Sequence, residues 1–303
     1  MNLNQNIFEQ VQALAIKTNH KMQESFIWNF RSAFIWEWLD YKESQVFSDW
    51  DNVKHIDWKT SAKTGKLFIK KFEETRKLKI NLIVDSSESL NTWFQDFKKN
   101  KLIEAVALIV FSAMKSWDRI SLKIIWDDNS DKNDLFWSWK NFSFKILEKL
   151  ISASRLKHAV DEIIDYQKFF EEFNLNKKNN NSIIFIFSDF SDSDNGKNLI
   201  ENVKKINPNN EIICIFIRDN LEKLLENSET KNWISEFENF KNNSEKILID
   251  WKKFSEFKKF LDQEILEKRK DLAKFWIESL EIFEWKDVMD NFLEFFKMKE
   301  KRK

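Results

Sequence analysis

From residue 77 onward, short apolar runs alternate with longer stretches in which apolar residues recur every three or four positions. "KLKINLIVD" (77–85), "DRISLKII" (118–125), "NNNSIIFIFSDF" (179–190) and "NEIICIFI" (210–217) each hold a strand-length apolar core. That is the pattern of strands buried in a sheet. Between them, "KLIEAVALIVFSAMKS" (101–116), "FSFKILEKLISAS", "LKHAVDEIIDYQKFFEEF" and "GKNLIENVKKI" (196–206) show helical spacing, and Pro208 ends the last. A last short strand is expected in "EKILID" (245–250), followed by a helix over 253–275 and a closing helix with a basic end, "DVMDNFLEFFKMKEKRK". Ahead of residue 77, Ile7, Phe8, Val11, Leu14 and Ala15 predict an amphipathic helix over 5–19, and "KLFIKKF" (66–72) alternates like a strand. Residues 20–65 read as irregular and turn-rich. Strand–helix alternation from 77 to 275 predicts an α/β fold, with a mostly parallel sheet covered by helices on both faces. The expected organisation is an N-terminal helix and irregular/β elaboration (1–76), an α/β domain (77–252) and a C-terminal helical segment packed on it (253–303).

Composition narrows the function classes. The 303 residues carry 50 basic and 50 acidic side chains, so no net field favours nucleic acid or an anionic membrane. The most apolar run, "AVALIVFSAM" (105–114), is too short to span a bilayer. "MNLNQNIFEQ" has no basic n-region and is not a secretory signal. A cytoplasmic protein without a membrane span is therefore expected. Cys214, the one cysteine, lies in "EIICIFI", where a buried structural thiol is expected. His20, His55 and His158 make no zinc-type spacing.

One pair of counts changes the picture: 2 glycines against 14 tryptophans. A chain this long ordinarily carries roughly 21 glycines, at about 7%. The tryptophans stand where turns want glycine. Trp36 and Trp38 flank Glu37, Trp50 sits between Asp49 and Asp51, and Trp93 follows a strand end. Trp117 follows a helical pattern and precedes a strand, where a C′ glycine belongs. Trp137, Trp139, Trp233, Trp276 and Trp285 sit similarly, and only Trp58, after Ile56-Asp57, sits where an aromatic is at home. The economical reading is translational: some bacteria read UGA as glycine, and a table reading it as tryptophan writes Trp at those positions. A genuinely Trp-rich chain, with aromatic platforms for sugar or single-stranded nucleic acid, is the competing reading.

The chemistry concentrates at two strand ends. Ligands of open parallel sheets bind outside the carboxyl ends of the strands. "VDSSESL" places Asp85, Ser87 and Ser89 at D-x-S-x-S spacing directly after one buried strand, and "FIFSDFSD" ends another in Ser188-Asp189. A carboxylate with hydroxyls is a hard-oxygen donor set that suits Mg²⁺. The plain structural alternative has Ser87 and Ser89 capping the next helix and Asp189 as a loop acid. No phosphate-binding glycine loop and no G-x-S-x-G elbow is present.

The D-x-S-x-S pattern resembles the metal-ion-dependent adhesion site of von Willebrand factor A domains, and the segment before it resembles the DUF58 family. In that resemblance Trp50-Asp51 fall on a family Gly-Asp, Ile56-Asp57-Trp58 on I-D-W, and Ser61-Ala62 on S-A. Trp36-Glu37-Trp38 match a G-x-G, and "SWDRISL" matches G-D-R-x-G-L. Gln45, Phe47 and Lys54 depart from the family's Arg, Tyr and Arg. An adhesion site also takes a Thr between its second and third acids. This chain has none between Thr92 and Thr230, and the nearest hydroxyl in the matching region is Ser138.

The resemblance implies a doubly wound, von Willebrand factor A-like fold. It further implies a metal held by Asp85, Ser87, Ser89 and Asp189, with Ser138 as the weakest candidate. The ion would be Mg²⁺, with Mn²⁺ or Ca²⁺ as substitutes. It implies a non-enzymatic adaptor that binds a protein partner, a MoxR-type AAA+ ATPase, in complex assembly or maturation. Asp57 and Trp58 are expected to be structural. The rival is a Mg²⁺-dependent hydrolase or phosphatase using Asp85 and Asp189. Against it, His55 and His158 lie far from both acids in sequence, leaving no general base.

Overall fold

In the computed structural model, residues 24–35, 40–48, 56–73, 77–85, 95–125, 140–153, 165–176, 181–190, 193–218, 234–235, 247–248, 251–283 and 286–302 are described. The apolar runs become a five-stranded parallel sheet, formed by β3 (Lys79–Asp85), β4 (Arg119–Ile125), β5 (Ile183–Ser188), β6 (Glu211–Arg218) and β9 (Glu278–Phe283). Their order is β4-β3-β5-β6-β9. A separate antiparallel pair, β1 (Asp40–Val46) and β2 (Phe68–Glu73), stands at the N-terminal side, with α2 (Trp58–Thr64) between its strands in sequence. This is an α/β fold with a small N-terminal β elaboration, as the strand–helix alternation predicts.

The strand period of two splits the core between the faces. Ile80, Leu82 and Val84 of β3, Phe185 and Phe187 of β5, and Ile213, Ile215 and Ile217 of β6 join one cluster. The helices on that face are α1 (Glu24–Ile35), α3 (Gln95–Lys115), α4 (Lys140–Ala153) and α8 (Val288–Arg302). Ile83 and the even-numbered apolar residues of β5 and β6 join the second cluster, under α5 (Tyr166–Leu175), α6 (Ser193–Val203) and α7 (Trp251–Ala273).

Stretches at 24–35, 40–46, 58–64 and 278–283 differ from the sequence expectation, the first three lying in the segment read as irregular. Residues 24–35, read as irregular, form α1. Phe26, Phe30 and Phe34 recur at every fourth position and are fully buried. Phe34 packs edge-on to Phe185 at 5.9 Å, and Phe30 and Phe34 meet Phe296 of α8 at 5.5 and 5.7 Å. Each such ring removes enough apolar surface from water to contribute about 2 kcal/mol. Tertiary burial thus makes the helix in a segment whose Trp and Asn content reads as turns. Residues 278–283, where the sequence reading has no strand, form β9 at the edge of the main sheet. Its polar positions Glu278, Ser279 and Glu281 leave only Leu280 and Ile282 as a weak alternation, and only Leu280 and Ile282 are buried. A charged edge strand lacks the apolar run that marks a central one. The short strand expected at 245–250 is the two-residue β8 (Ile247–Leu248), paired with β7 (Ile234–Ser235) outside the main sheet. The helix expected over 5–19 lies outside the described residues.

Among the described residues, two helix ends carry tryptophan in the left-handed region. After α3, Trp117 has φ 59° and Asp118 N donates to Ala113 O at 2.9 Å. After α7, Trp276 has φ 62° and Ile277 N donates to Leu272 O at 3.2 Å. Both are the six-to-one bonds of a Schellman turn, with Trp at the C′ position that glycine fills at no steric cost. Both indoles face water, 63% and 94% exposed, so neither gains packing in return for its strained backbone.

Candidate functional site at the strand carboxyl ends

The chain leaves β3 toward β4 on one side and leaves β5 toward β6 on the other, so β3 and β5 are the neighbours between which the winding reverses. The crevice outside such a pair is where doubly wound sheets place ligands. β3 ends in Asp85 and β5 in Ser188, followed by Asp189. The register that pairs Val84 with Phe187 sets Asp85 beside Ser188. Ser188 Oγ donates to Asp85 Oδ2 at 2.8 Å, and Tyr166 Oη lies 3.5 Å from Oδ1. Asp85 is 3% exposed.

Ser188 also fixes the turn that follows. Its Oγ accepts the Phe190 N–H at 3.0 Å. Phe190 adopts φ 50°, a strained conformation for a bulky residue, and is held there from three sides. Its ring stacks on Phe216 at 4.2 Å. Its carbonyl accepts from the buried Lys268 Nζ of α7 at 2.6 Å, and Lys268 also bonds Glu264 at 2.6 Å. Asp189, between these two anchored residues, is thereby fixed in place.

Asp189 is as buried as Asp85 and meets a cation supplied by the chain itself. Lys98 Nζ, from the first turn of α3, lies 3.1 Å from Asp189 Oδ2, with the side chains 12% and 3% exposed. A carboxylate this buried needs such a partner, because desolvating an unpaired charge is costly. The structure therefore gathers Asp85, Ser188, Asp189, Lys98 and Tyr166 at one end of the sheet. Asp85 and Asp189 are the two acids that the sequence marks. Ser188, Tyr166 and Lys98 were missed, although the serine neighbours a marked acid. Ser87, Ser89 and Ser138 lie outside the described residues.

The donors at this end are carboxylate and hydroxyl oxygens, which fit a hard divalent cation such as Mg²⁺. Among the described residues, no three His, Cys, Asp or Glu gather as a metal cluster. Mg²⁺ does not require one, since it commonly keeps waters and takes one or two carboxylates.

The I-D-W stretch has a different character. Asp57 is buried and caps α2: Oδ1 accepts Thr60 N at 3.1 Å, while Oδ2 accepts the hydroxyls of Thr60 and Ser44 at 2.7 and 2.6 Å. Ile56 is buried and bridges Ile69 of β2. Ser61 Oγ takes the Phe68 N–H at 2.8 Å, tying α2 to β2. Ala62 is exposed, and Trp58 is 70% exposed at the start of the helix. Asp57 and Ser61 are structural ties, whereas Trp58 adds no buried ring. Trp50 and Asp51 lie outside the described residues.

Fold and site together define an α/β protein with buried acids at the switch point of a parallel sheet. The chain belongs to the DUF58 family, described as a protein of unknown function, which matches residues 43–230, more than half of its length. No curated protein is detectably similar to it. Among the described residues, no helix is long and apolar enough to cross a membrane.

Proposed function

We propose that this chain is a non-enzymatic, von Willebrand factor A-like adaptor of the cytoplasm that binds a protein partner through a Mg²⁺ ion. The partner is a MoxR-type AAA+ ATPase, and the role is complex assembly or maturation. The observation that carries the reading is the placement of two buried acids, Asp85 and Asp189, at the carboxyl ends of the adjacent strands where the winding reverses. Asp85, Asp189 and the serines of D-x-S-x-S would hold the ion, whose open position an acidic side chain of the partner fills. The test is a pull-down from native extract with Mg²⁺ and again with EDTA. An AAA+ ATPase captured with Mg²⁺, and lost with EDTA or Asp85→Ala, supports the adaptor. Capture indifferent to both overturns it, and phosphatase activity requiring both acids would favour the hydrolase instead.

The same reading takes most tryptophans other than Trp58 as glycines of the native protein. Trp117 and Trp276 support it: both occupy left-handed C′ positions and both are exposed. Peptide masses from the native organism decide the matter. Glycine at residues 36, 38, 50 and 117 is expected, and tryptophan there would end the recoding reading.

A further inference from the structure

We infer that Lys98 is a built-in counter-cation that competes with the metal ion for Asp189, so that the site alternates between a lysine-latched and a metal-filled state. This rests on the metal-bridged reading above and adds its regulation. Lys98 Nζ sits 3.1 Å from Asp189 Oδ2, a carboxylate that is 3% exposed. An ammonium at that distance already neutralises the acid and repels a divalent cation drawn to the same oxygen. Ion entry therefore requires Lys98 to leave.

Two features let it leave. Its flexible four-carbon stem carries a compact, strongly hydrated charge. At 12% exposed it also retains a path to water, unlike the acid it covers. Position couples the exchange to the rest of the site. Lys98 lies in the first turn of α3, and residues 86–94, which carry Ser87 and Ser89, join Asp85 to that helix. The ion pair thus ties the start of α3 to the turn after β5. Asp85, on the neighbouring strand end, accepts the Ser188 hydroxyl at 2.8 Å and lies 3.5 Å from Tyr166 Oη. A partner that binds only the metal-filled state draws the equilibrium away from the latch, with a reach set by its differential affinity for the two states.

The experiment is Mn²⁺ binding to the full, metal-stripped chain, followed by the electron paramagnetic resonance signal of free Mn²⁺. Lys98→Met keeps the length and removes the charge. It should bind Mn²⁺ roughly tenfold or more tightly than the unaltered chain, the scale of releasing one hydrogen-bonded ion pair from a buried carboxylate. Lys98→Arg keeps the charge and should stay weak, and Asp85→Ala should not bind. Tighter binding also means that the Mn²⁺-induced rise in melting temperature should be larger in Lys98→Met than in the unaltered chain. Lys98→Gln provides the same comparison if the Met variant does not fold. Equal affinity in the neutral variant and the unaltered chain, with binding still lost in Asp85→Ala, overturns the latch and leaves the metal reading standing. No binding in any chain overturns both.

Discussion

The two ends of the main sheet bury polar groups in opposite ways. At the amino ends of the strands the groups are mostly neutral and close on one another. Asn81 Nδ2 donates to Ser182 Oγ at 2.8 Å, and Asn81 Oδ1 accepts Ser121 Oγ at 2.6 Å. Asn210 Oδ1 takes both the N–H and the hydroxyl of Ser182, at 3.0 and 3.1 Å. These bonds link β3, β4 and the starts of β5 and β6. The carboxyl ends instead concentrate charge, with Asp85 and Asp189 buried at the switch point and Lys98 set against one of them. A satisfied neutral network rigidifies a fold and leaves nothing to exchange. Buried acids met by a lysine cost desolvation, and such charged groups cluster at functional sites. Asn81 and Asp85 lie on the same face of one strand, four residues apart, yet belong to different tasks.

Substitutions at those two residues are the sharpest way to break this comparison. Asp85→Ala should abolish cation-dependent capture of the partner while the chain stays folded. Asn81→Ala should do the reverse: capture persists, and denaturant unfolding shows a loss of roughly 3 kcal/mol, because it takes the acceptor from the Ser121 hydroxyl and one donor from Ser182, which keeps Asn210, and opens a cavity. Unfolding by the first, or lost capture by the second at temperatures where it is folded, would erase the distinction.

A titratable group also sits at the structural end. Asp118, fully buried, accepts the Leu78 N–H at 2.9 Å, and its Oδ2 has no hydrogen-bond partner. Burial raises its pKa to about 6, against smaller lowering effects from the Leu78 bond, Arg31 and Lys77. A carboxyl with a raised folded-state pKa holds its proton more tightly in the native state. Its stabilising contribution is therefore full below the ordinary value near 3.8 and is lost as pH rises through about 6. Asp118→Asn keeps the acceptor for Leu78 and removes the titration. Melting curves between pH 4 and 7 should show the unaltered chain losing stability relative to this variant as pH rises, and parallel curves would show that Asp118 titrates normally.

The smallest expected effect is again at the amino ends, where Trp117 and Trp276 lead from helices into β4 and β9. Trp117→Gly and Trp276→Gly should each stabilise the chain by about 1 kcal/mol by relieving a left-handed backbone, without altering Mn²⁺ binding. A loss of stability in either variant would mean that its indole has packing worth more than its strain.

Much of the architecture was legible beforehand, because it is written in local periodicity. The four apolar runs from 77 to 217 became the four strands β3 to β6, and the described helices between them followed their spacing, while residues 156–164 of the expected second helix after β4 lie outside the described residues. Residues 278–283 were not legible as a strand, since their two buried positions make too short an alternation among polar neighbours. The helix at 24–35 was written in Phe26, Phe30 and Phe34, but a reading of the surrounding residues as turns hid it. Asp57, expected to be structural, caps α2. Trp58, expected to share that role, stands in solvent.

The sequence by itself determined that two acids would end two strands of a parallel sheet, because strand period and apolar run length are properties of neighbouring residues. Only the tertiary structure decided what those acids meet. Ser188 reaches Asp85 across 103 residues and Lys98 reaches Asp189 across 91, so strand order and register, rather than any local pattern, choose the partners.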